Sequence, residues 1–507
     1  YIDAIDRIWE NIVSKKLYIT GGIGATNNGE AFGENYQLPN MSAYCETCAA
    51  IGNVYVNYRM FLLHGDAKYY DVLERTLYNG LISGVSLEGN GFFYPNPLES
   101  IGQHQRQAWF GCACCPSNIC RFIPSVPGYV YAVKDNALYV NLFMPNTMTQ
   151  KLGGKAVTLT QKTGYPYDGD IEITIDKTAL KKEMALKVRI PGWVRGDVVP
   201  SDLYSYVDGK RPGYTVKVNG VPVESALEQG YFTISRKWKK GDKVTVHFDL
   251  EPRVVKAHAE VKADVGRIAI ERGPVVYCAE WPDNPGFSVR SVLMNQEPQF
   301  TVKHSDELFG IDKIATKAQT LSFGKEGRLE VKDVDLTLIP YYAWCHRGSG
   351  EMAVWLPQDL RATKPTKPAT LASTAKIGAS TPTRSISAIN DQLVPGDESS
   401  PYYHWWPKQG GTEWITYDFA APATVSRSSV WWFDDQPWGG CSVPKAWRIS
   451  YKDASGNWVP VEEPSGYPSR KGVACEVRFK PVTTTAVRLE VDLPAELSAG
   501  LYEWDVK

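Results

Sequence analysis

The chain has no excess of either charge: 55 Lys and Arg stand against 56 Asp and Glu among its 507 residues, a formal net charge of −1. Nucleic acids and anionic membranes both select for a basic surplus, so neither is expected as a partner. No basic run occurs, and no apolar stretch is long enough to span a bilayer. Tandem repeats and a low-complexity tail are also missing. The opening, Tyr1-Ile-Asp-Ala-Ile-Asp-Arg-Ile-Trp-Glu, lacks the charged start, apolar core and cleavage-like site of a secretory leader. Instead Ile2, Ile5, Ile8, Trp9, Ile12 and Val13 recur at helix spacing. A lone amphipathic helix cannot cover its own stripe, so the expectation is that Tyr1 lies inside a longer protein.

What is present is the balance of a soluble globular protein, with 43% hydrophobic and 22% charged residues. At roughly 150 residues per domain the length predicts about three domains. Sixteen Trp and 28 Tyr suit either β-sandwich cores or platforms for sugar rings, and composition favours the core. Up to about Arg121 the pattern is helical. Ile51, Val54, Tyr55, Tyr58, Phe61 and Leu62 predict one helix, Gly65-Asp66 a turn, and Tyr69, Tyr70, Leu73, Leu77 and Leu81 the next. Successive helical hairpins of this kind predict part of an α/α toroid. Near Val126 the period changes to short alternating strands such as Ile171-Glu-Ile-Thr-Ile and Lys243-Val-Thr-Val-His-Phe. The predicted fold class is therefore multidomain α plus β. Residues 1–126 form the C-terminal part of a toroid, 127–361 a β-sandwich region of two sandwiches, 362–383 a Pro/Thr-rich linker and 384–507 a further β-sandwich.

Seven of the ten cysteines, Cys45, Cys112, Cys120, Cys278, Cys345, Cys441 and Cys475, read as singly placed apolar residues. The informative set is Cys45-Glu-Thr-Cys48 with Cys112-Ala-Cys114-Cys115-Pro116. Disulfides are disfavoured because CxCC crowds its thiols. A structural zinc clip between two helices is a second reading. The third is a catalytic site of mixed thiolate and carboxylate ligands. Pro116 reads as the first residue of a helix, which places both preceding thiols at a positive dipole end that stabilises thiolate. Glu46 and Cys48, two apart, can share a metal only at an irregular helix start. These residues alone leave structural and catalytic zinc open.

Gly29-Glu30-Ala-Phe, Glu46-Thr47-Cys48-Ala49 and Cys114-Cys115-Pro116-Ser117-Asn118 resemble the signature of glycoside hydrolase families 127 and 146, which are zinc-dependent β-L-arabinofuranosidases with an α/α toroid followed by β-sandwiches. The sixteen-residue interval between Glu30 and Glu46 fits, and the resemblance covers about residues 1–360. It implies Cys114 as nucleophile, Glu30 as general acid/base, and Zn2+ held by Glu46, Cys48 and Cys115 with Cys114 completing the environment. Glu74 and Tyr94 match positions that contact the sugar. Ser117 departs from the family's more frequent Pro, Cys45 is outside the motif, and the family's sugar-contacting histidines lie upstream of Tyr1.

The implied activity is exo-acting, retaining release of terminal β-L-arabinofuranose from plant glycans, with an arabinose-containing oligosaccharide or polysaccharide as partner. A related hydrolase for another pectic sugar, such as aceric acid, and a non-catalytic carbohydrate-binding protein with structural zinc are the alternatives. Glu30 separates catalysis from binding. His64 and His104 receive no role. Residues 384–507 resemble a discoidin-type module, through Trp414-Ile-Thr-Tyr-Asp-Phe and Trp447-Arg-Ile-Ser-Tyr. Such a module implies glycan binding by His404-Trp405-Trp406-Pro407 and Trp431-Trp432-Phe433-Asp434-Asp435, with core packing of these aromatics as the competing reading. A glycan-binding appendage points to a periplasmic or secreted protein. Unpaired thiols suit a reducing compartment and keep the cytoplasm as the alternative.

Overall fold

A computed structural model of the chain describes residues 1–324, 326–393 and 401–507. Residues 1–321 with 331–365 form one compact unit, and 322–330 with 366–507 a second.

The first unit begins with helices. Helix α1, Ile2–Lys15, buries Trp9 and Val13, while Ile2, Ile5 and Ile8 stand exposed, so only the second half of its apolar stripe is covered. Trp9 Nε1 donates to Asn57 Oδ1 at 2.8 Å and its ring meets Tyr69 edge-on at 4.6 Å. Helices α2, Thr47–His64, and α3, Lys68–Thr76, are joined through Gly65. Gly65 adopts φ +73, where glycine alone is unstrained, and donates its N–H to Phe61 O at 2.7 Å. Phe61 then packs edge-on against Tyr70 at 4.8 Å. A short helix α4, Cys114–Phe122, returns to α2, with Phe122 and Tyr55 ring centroids 5.8 Å apart.

Beyond residue 130 the period-2 pattern yields sheets. A five-stranded sheet runs Leu227–Glu228, Tyr231–Arg236, Met184–Arg189, Ala137–Val140, Tyr131–Lys134. A six-stranded sheet runs Val221–Pro222, Tyr214–Val218, Lys243–Phe248, Asp170–Thr178, Lys155–Thr163, Asn146–Leu152. Alternate residues turn inward, as in buried Ile171, Ile173 and Ile175 beside buried Val244, Val246 and Phe248. Fully burying each such side chain contributes about 1.5–3 kcal/mol.

A third, larger sheet is built around Val275–Glu280 and Arg267–Arg272. It also takes in Glu99–Ile101 from the helical region, which pairs antiparallel with Glu351–Ala353. Buried ions tie helix to strand: Arg75 bonds Glu271 at 2.8 Å, and Arg189 bonds both Asp71, at 2.9 Å, and Glu74.

The second unit carries a seven-stranded sheet centred on Thr412–Phe433 and Cys475–Asp492. Its core holds Trp405, Tyr417, Trp432, Trp447 and Trp504. Residues 362–383, read from composition as a linker, are corrected here. Lys376–Ala379 is a strand paired with Ile415–Asp418, and Ala372 is buried. The strand reads Lys-Ile-Gly-Ala, a poor β-former by composition, and it is the pairing with Ile415–Asp418 that makes it a strand.

Candidate active site

Four side chains from two helix starts converge. Glu46 is the N-cap of α2, with extended ψ of 139°, and Cys48 lies in the first turn. This break from helical geometry lets residues two apart face the same point. Cys114 and Cys115 open α4 after N-cap Ala113. Pro116 is therefore the third helical residue, not the first, and both thiols lie within the first turn. The ligand atoms of Glu46, Cys48, Cys114 and Cys115 all lie within 4.8 Å of one another.

The scaffold beneath is tightly bonded. Thr47 N–H donates to Tyr94 O at 3.0 Å, and the Thr47 hydroxyl donates to Phe93 O at 2.9 Å. Asn96 N–H donates to Tyr44 O at 3.0 Å, while its side-chain amide donates to Cys45 O at 2.9 Å and Thr47 Oγ1 at 3.0 Å. Tyr341 holds the carbonyls of Asn96 and Pro97 at 3.0 Å each. Gly84 approaches so closely that a Cβ there would lie 2.4 Å from Thr47 Cγ2. Backbone contacts of this density fix the start of α2 and hence the directions of Glu46 and Cys48.

The donor set fits a divalent, thiophilic cation. Tetrahedral zinc with bonds of about 2.3 Å to sulfur and 2.0–2.2 Å to carboxylate oxygen implies S···S edges near ~3.8 Å and S···O edges near ~3.6 Å. Cys114 and Cys115 Sγ are 3.8 Å apart, and Glu46 Oε1 lies 3.5 Å and 3.3 Å from them. The charge balance agrees. A hydrogen bond from Cys115, aided by Asn118, brings the Cys48 thiol down to about 7. Burial pushes Cys114 up to about 11, and the bond to Cys48 raises Cys115. Three thiolates and a carboxylate this close repel one another, and a bound cation reverses that penalty.

The thiols differ in access. Cys115 is buried, whereas Cys114 is half-buried with the Tyr94 hydroxyl 2.9 Å from its Sγ. Tyr94 in turn packs against Phe110, at 5.4 Å, and Tyr44, at 6.1 Å.

Glu30 is exposed on the turn Asn28–Glu30, in left-handed backbone at φ +49 after Gly29 at φ +70. Its Oε1 accepts a 2.8 Å hydrogen bond from Tyr44 OH. Among the described residues no hydrogen bond joins Glu30 to the four-residue cluster; the connection is Tyr44 and then Tyr94.

Glu74 is placed elsewhere. Its carboxylate is buried, accepting from Tyr165 OH at 2.9 Å and from Arg189. Here Glu74 is committed to the helix–sandwich contact, not to Tyr94. His64 bonds Asp6 at 2.9 Å, and half-buried His104 stacks on Trp344, its pKa lowered by desolvation to about 4. Tyr44 was not singled out from the sequence; a tyrosine beside a cysteine carries no spacing signal. In the second unit Trp405 and Trp432 are buried, as core packing predicts. Trp406 is 55% exposed, and Trp438, also missed in the sequence, is 89% exposed.

The chain is similar to known proteins over most of its length. Residues 1–128 match the GH127 β-L-arabinofuranosidase catalytic domain, 137–250 the GH127 middle domain and 252–357 the glycoside hydrolase family 127 C-terminal domain. A non-reducing end β-L-arabinofuranosidase of Bifidobacterium longum subsp. longum is 34% identical over 382 residues, which is 70% of this chain and 55% of that protein. A solved GH127 β-arabinofuranosidase is 64% identical with a TM-score of 0.71, covering 73% of this chain and 58% of that one. A GH127 β-L-arabinofuranosidase from Geobacillus stearothermophilus T6 is 36% identical with a TM-score of 0.62, over 69% and 55%. The chain thus spans just over half the length of these relatives.

Proposed function

The chain belongs to glycoside hydrolase family 127, and from that premise we propose that it carries the reacting groups of a retaining, exo-acting β-L-arabinofuranosidase. Cys114 is the nucleophile, Glu30 the general acid/base, and Glu46, Cys48, Cys115 and Cys114 are the residues that would hold Zn2+. The observation that carries this reading is the gathering of one carboxylate and three thiols within 4.8 Å at two helix starts. When bound, zinc supplies the positive charge that keeps these thiols ionised.

Accessibility supports Cys114 over Cys115 as nucleophile, since a buried sulfur cannot reach a sugar. Cys114 Sγ attacks the anomeric carbon as the bond to the leaving oxygen breaks, and Glu30 donates its proton to that oxygen. The sugar is then held as a thioglycoside on Cys114. In the second step Glu30 removes a proton from water, the water oxygen attacks the same carbon, and the C–S bond breaks. Two displacements at one carbon retain its configuration. Tyr94, beside Cys114 Sγ, lines the place the sugar must occupy. The substrate class is terminal β-L-arabinofuranose on plant glycans, which suits a periplasmic or secreted protein.

Glu30→Gln should slow turnover of a natural glycoside by about a hundred- to ten-thousand-fold with zinc content unchanged. Cys114→Ser should abolish turnover, and a halo-acetamide arabinose analogue should label Cys114 in the intact enzyme. Near-normal turnover in either variant refutes that residue's role.

A second reading concerns the second unit, where exposed Trp406 lies against Gly440 and near the loop carrying exposed Trp438. Flat indole faces left in water suit the apolar faces of sugar rings, which supports glycan binding at this end.

A further inference from the structure

We propose that Tyr44 is a positioning residue for the acid/base, holding one oxygen of Glu30 so that the other faces the leaving group. The inference rests on the reading of Glu30 above and adds the residue that aims it.

Glu30 needs an external restraint. Its turn contains two successive left-handed residues, Gly29 and Glu30. For a glutamate that conformation is strained and persists only where the surroundings enforce it. The side chain is exposed, so packing does not enforce its rotamer.

Two bonds from the segment before α2 supply the restraint. Cys45 N–H donates to Gly24 O at 2.8 Å, fixing the approach to the turn, which closes through paired Thr26 and Ala31. Tyr44 OH donates to Glu30 Oε1 at 2.8 Å, fixing the carboxylate itself.

Tyr44 is in turn immobile. It is buried, its carbonyl accepts from Asn96 N–H at 3.0 Å, and its ring packs against Tyr94. It also stands two residues before Glu46. A rigid two-residue span therefore links the acid/base to the cluster that holds the nucleophile. With Oε1 occupied, Oε2 is the oxygen left to exchange a proton with substrate.

The test is Tyr44→Phe in the zinc-loaded whole protein, which deletes one oxygen and keeps the ring against Tyr94. We expect kcat on an unactivated arabinoside to fall about ten- to a hundredfold, the range of one hydrogen bond to a charged group. KM should change less than about twofold, zinc content should be unchanged, and an activated aryl arabinoside should suffer less. In a Glu30→Gln background the same substitution should cost nothing further, because the carboxylate it aims is gone. Wild-type kcat in Tyr44→Phe, zinc loss in proportion to activity, or an equal fall in the Glu30→Gln background each overturns the proposal. If Glu30→Gln is slow but Tyr44→Phe is not, only Tyr44 loses its role. If Glu30→Gln is itself fully active, the acid/base reading falls first.

Discussion

Counting the protons released when zinc binds tests the cluster directly. In the metal-free protein the Cys48 thiol titrates near 7, Cys114 near 11, and Cys115 lies above its ordinary range. At pH 8–9 the site therefore holds about one thiolate and two thiols. Binding through three thiolates must expel the two remaining protons. The apparent association constant should then rise about a hundredfold per pH unit across that range. Below about pH 7, where Cys48 is also protonated, it should rise about a thousandfold per unit. Competition against a chromophoric chelator at several pH values measures the slope. Calorimetry in buffers of differing ionisation enthalpy counts the same protons independently. Cys114→Ser, which leaves the Cys115 bond to Cys48 in place, should lower the count at pH 8–9 to about one. A slope of zero, or an unaltered count in Cys114→Ser, would show that the thiols do not hold the ion as described.

Arg189→Met removes the cation of buried Glu74, while Asp71 keeps Arg195, and should cost about 3–5 kcal/mol in chemical denaturation; adding Glu74→Gln should recover part of that loss, and a purely additive further loss would contradict the buried pair. Asp264, buried beside Asn40, is raised by desolvation to about 7, so its folded value exceeds its unfolded one. The stability tied to its neutral form is present below about pH 4 and lost as pH rises through about 7. Asp264→Asn should therefore gain up to about 4 kcal/mol at pH 8 relative to pH 4, and a pH-independent difference would refute the assignment. Trp438→Ala should weaken retention of the protein on arabinose-containing polysaccharide without lowering turnover of a small aryl glycoside; unchanged retention removes that residue from glycan binding.

The residues that declared themselves in the sequence did so through local physics. Adjacent thiols before a proline marked a helix start, and Gly65 after Leu62 marked a helix end. Alternation of Ile171, Ile173 and Ile175 marked a strand with one face inward. What stayed hidden depended on partners distant in the chain. Glu74 looks like a free helical carboxylate until Arg189, 115 positions later, takes it. Tyr44 looks like one more core aromatic until the turn at Glu30 folds back on it. Lys376–Ala379 looks like tether until it lies beside the strand at Thr412–Phe433. Trp438 and Trp432 are indistinguishable as letters, and only the loop and the strand that carry them send one to water and the other to the core.

The closeness of Gly84 to Thr47 bears on how this site can vary by descent. Every single-base change in a glycine codon that yields another amino acid adds at least a Cβ. At residue 84 that atom would fall within 2.4–3.0 Å of the Thr47 side chain. Thr47 is flanked by Glu46 and Cys48, so whatever moves it to make room also moves two donors of the cluster. Glycine at this position has no nearby neighbour in mutational space that leaves the donors where they are. Drift there must begin with a change at residue 47 or not begin at all.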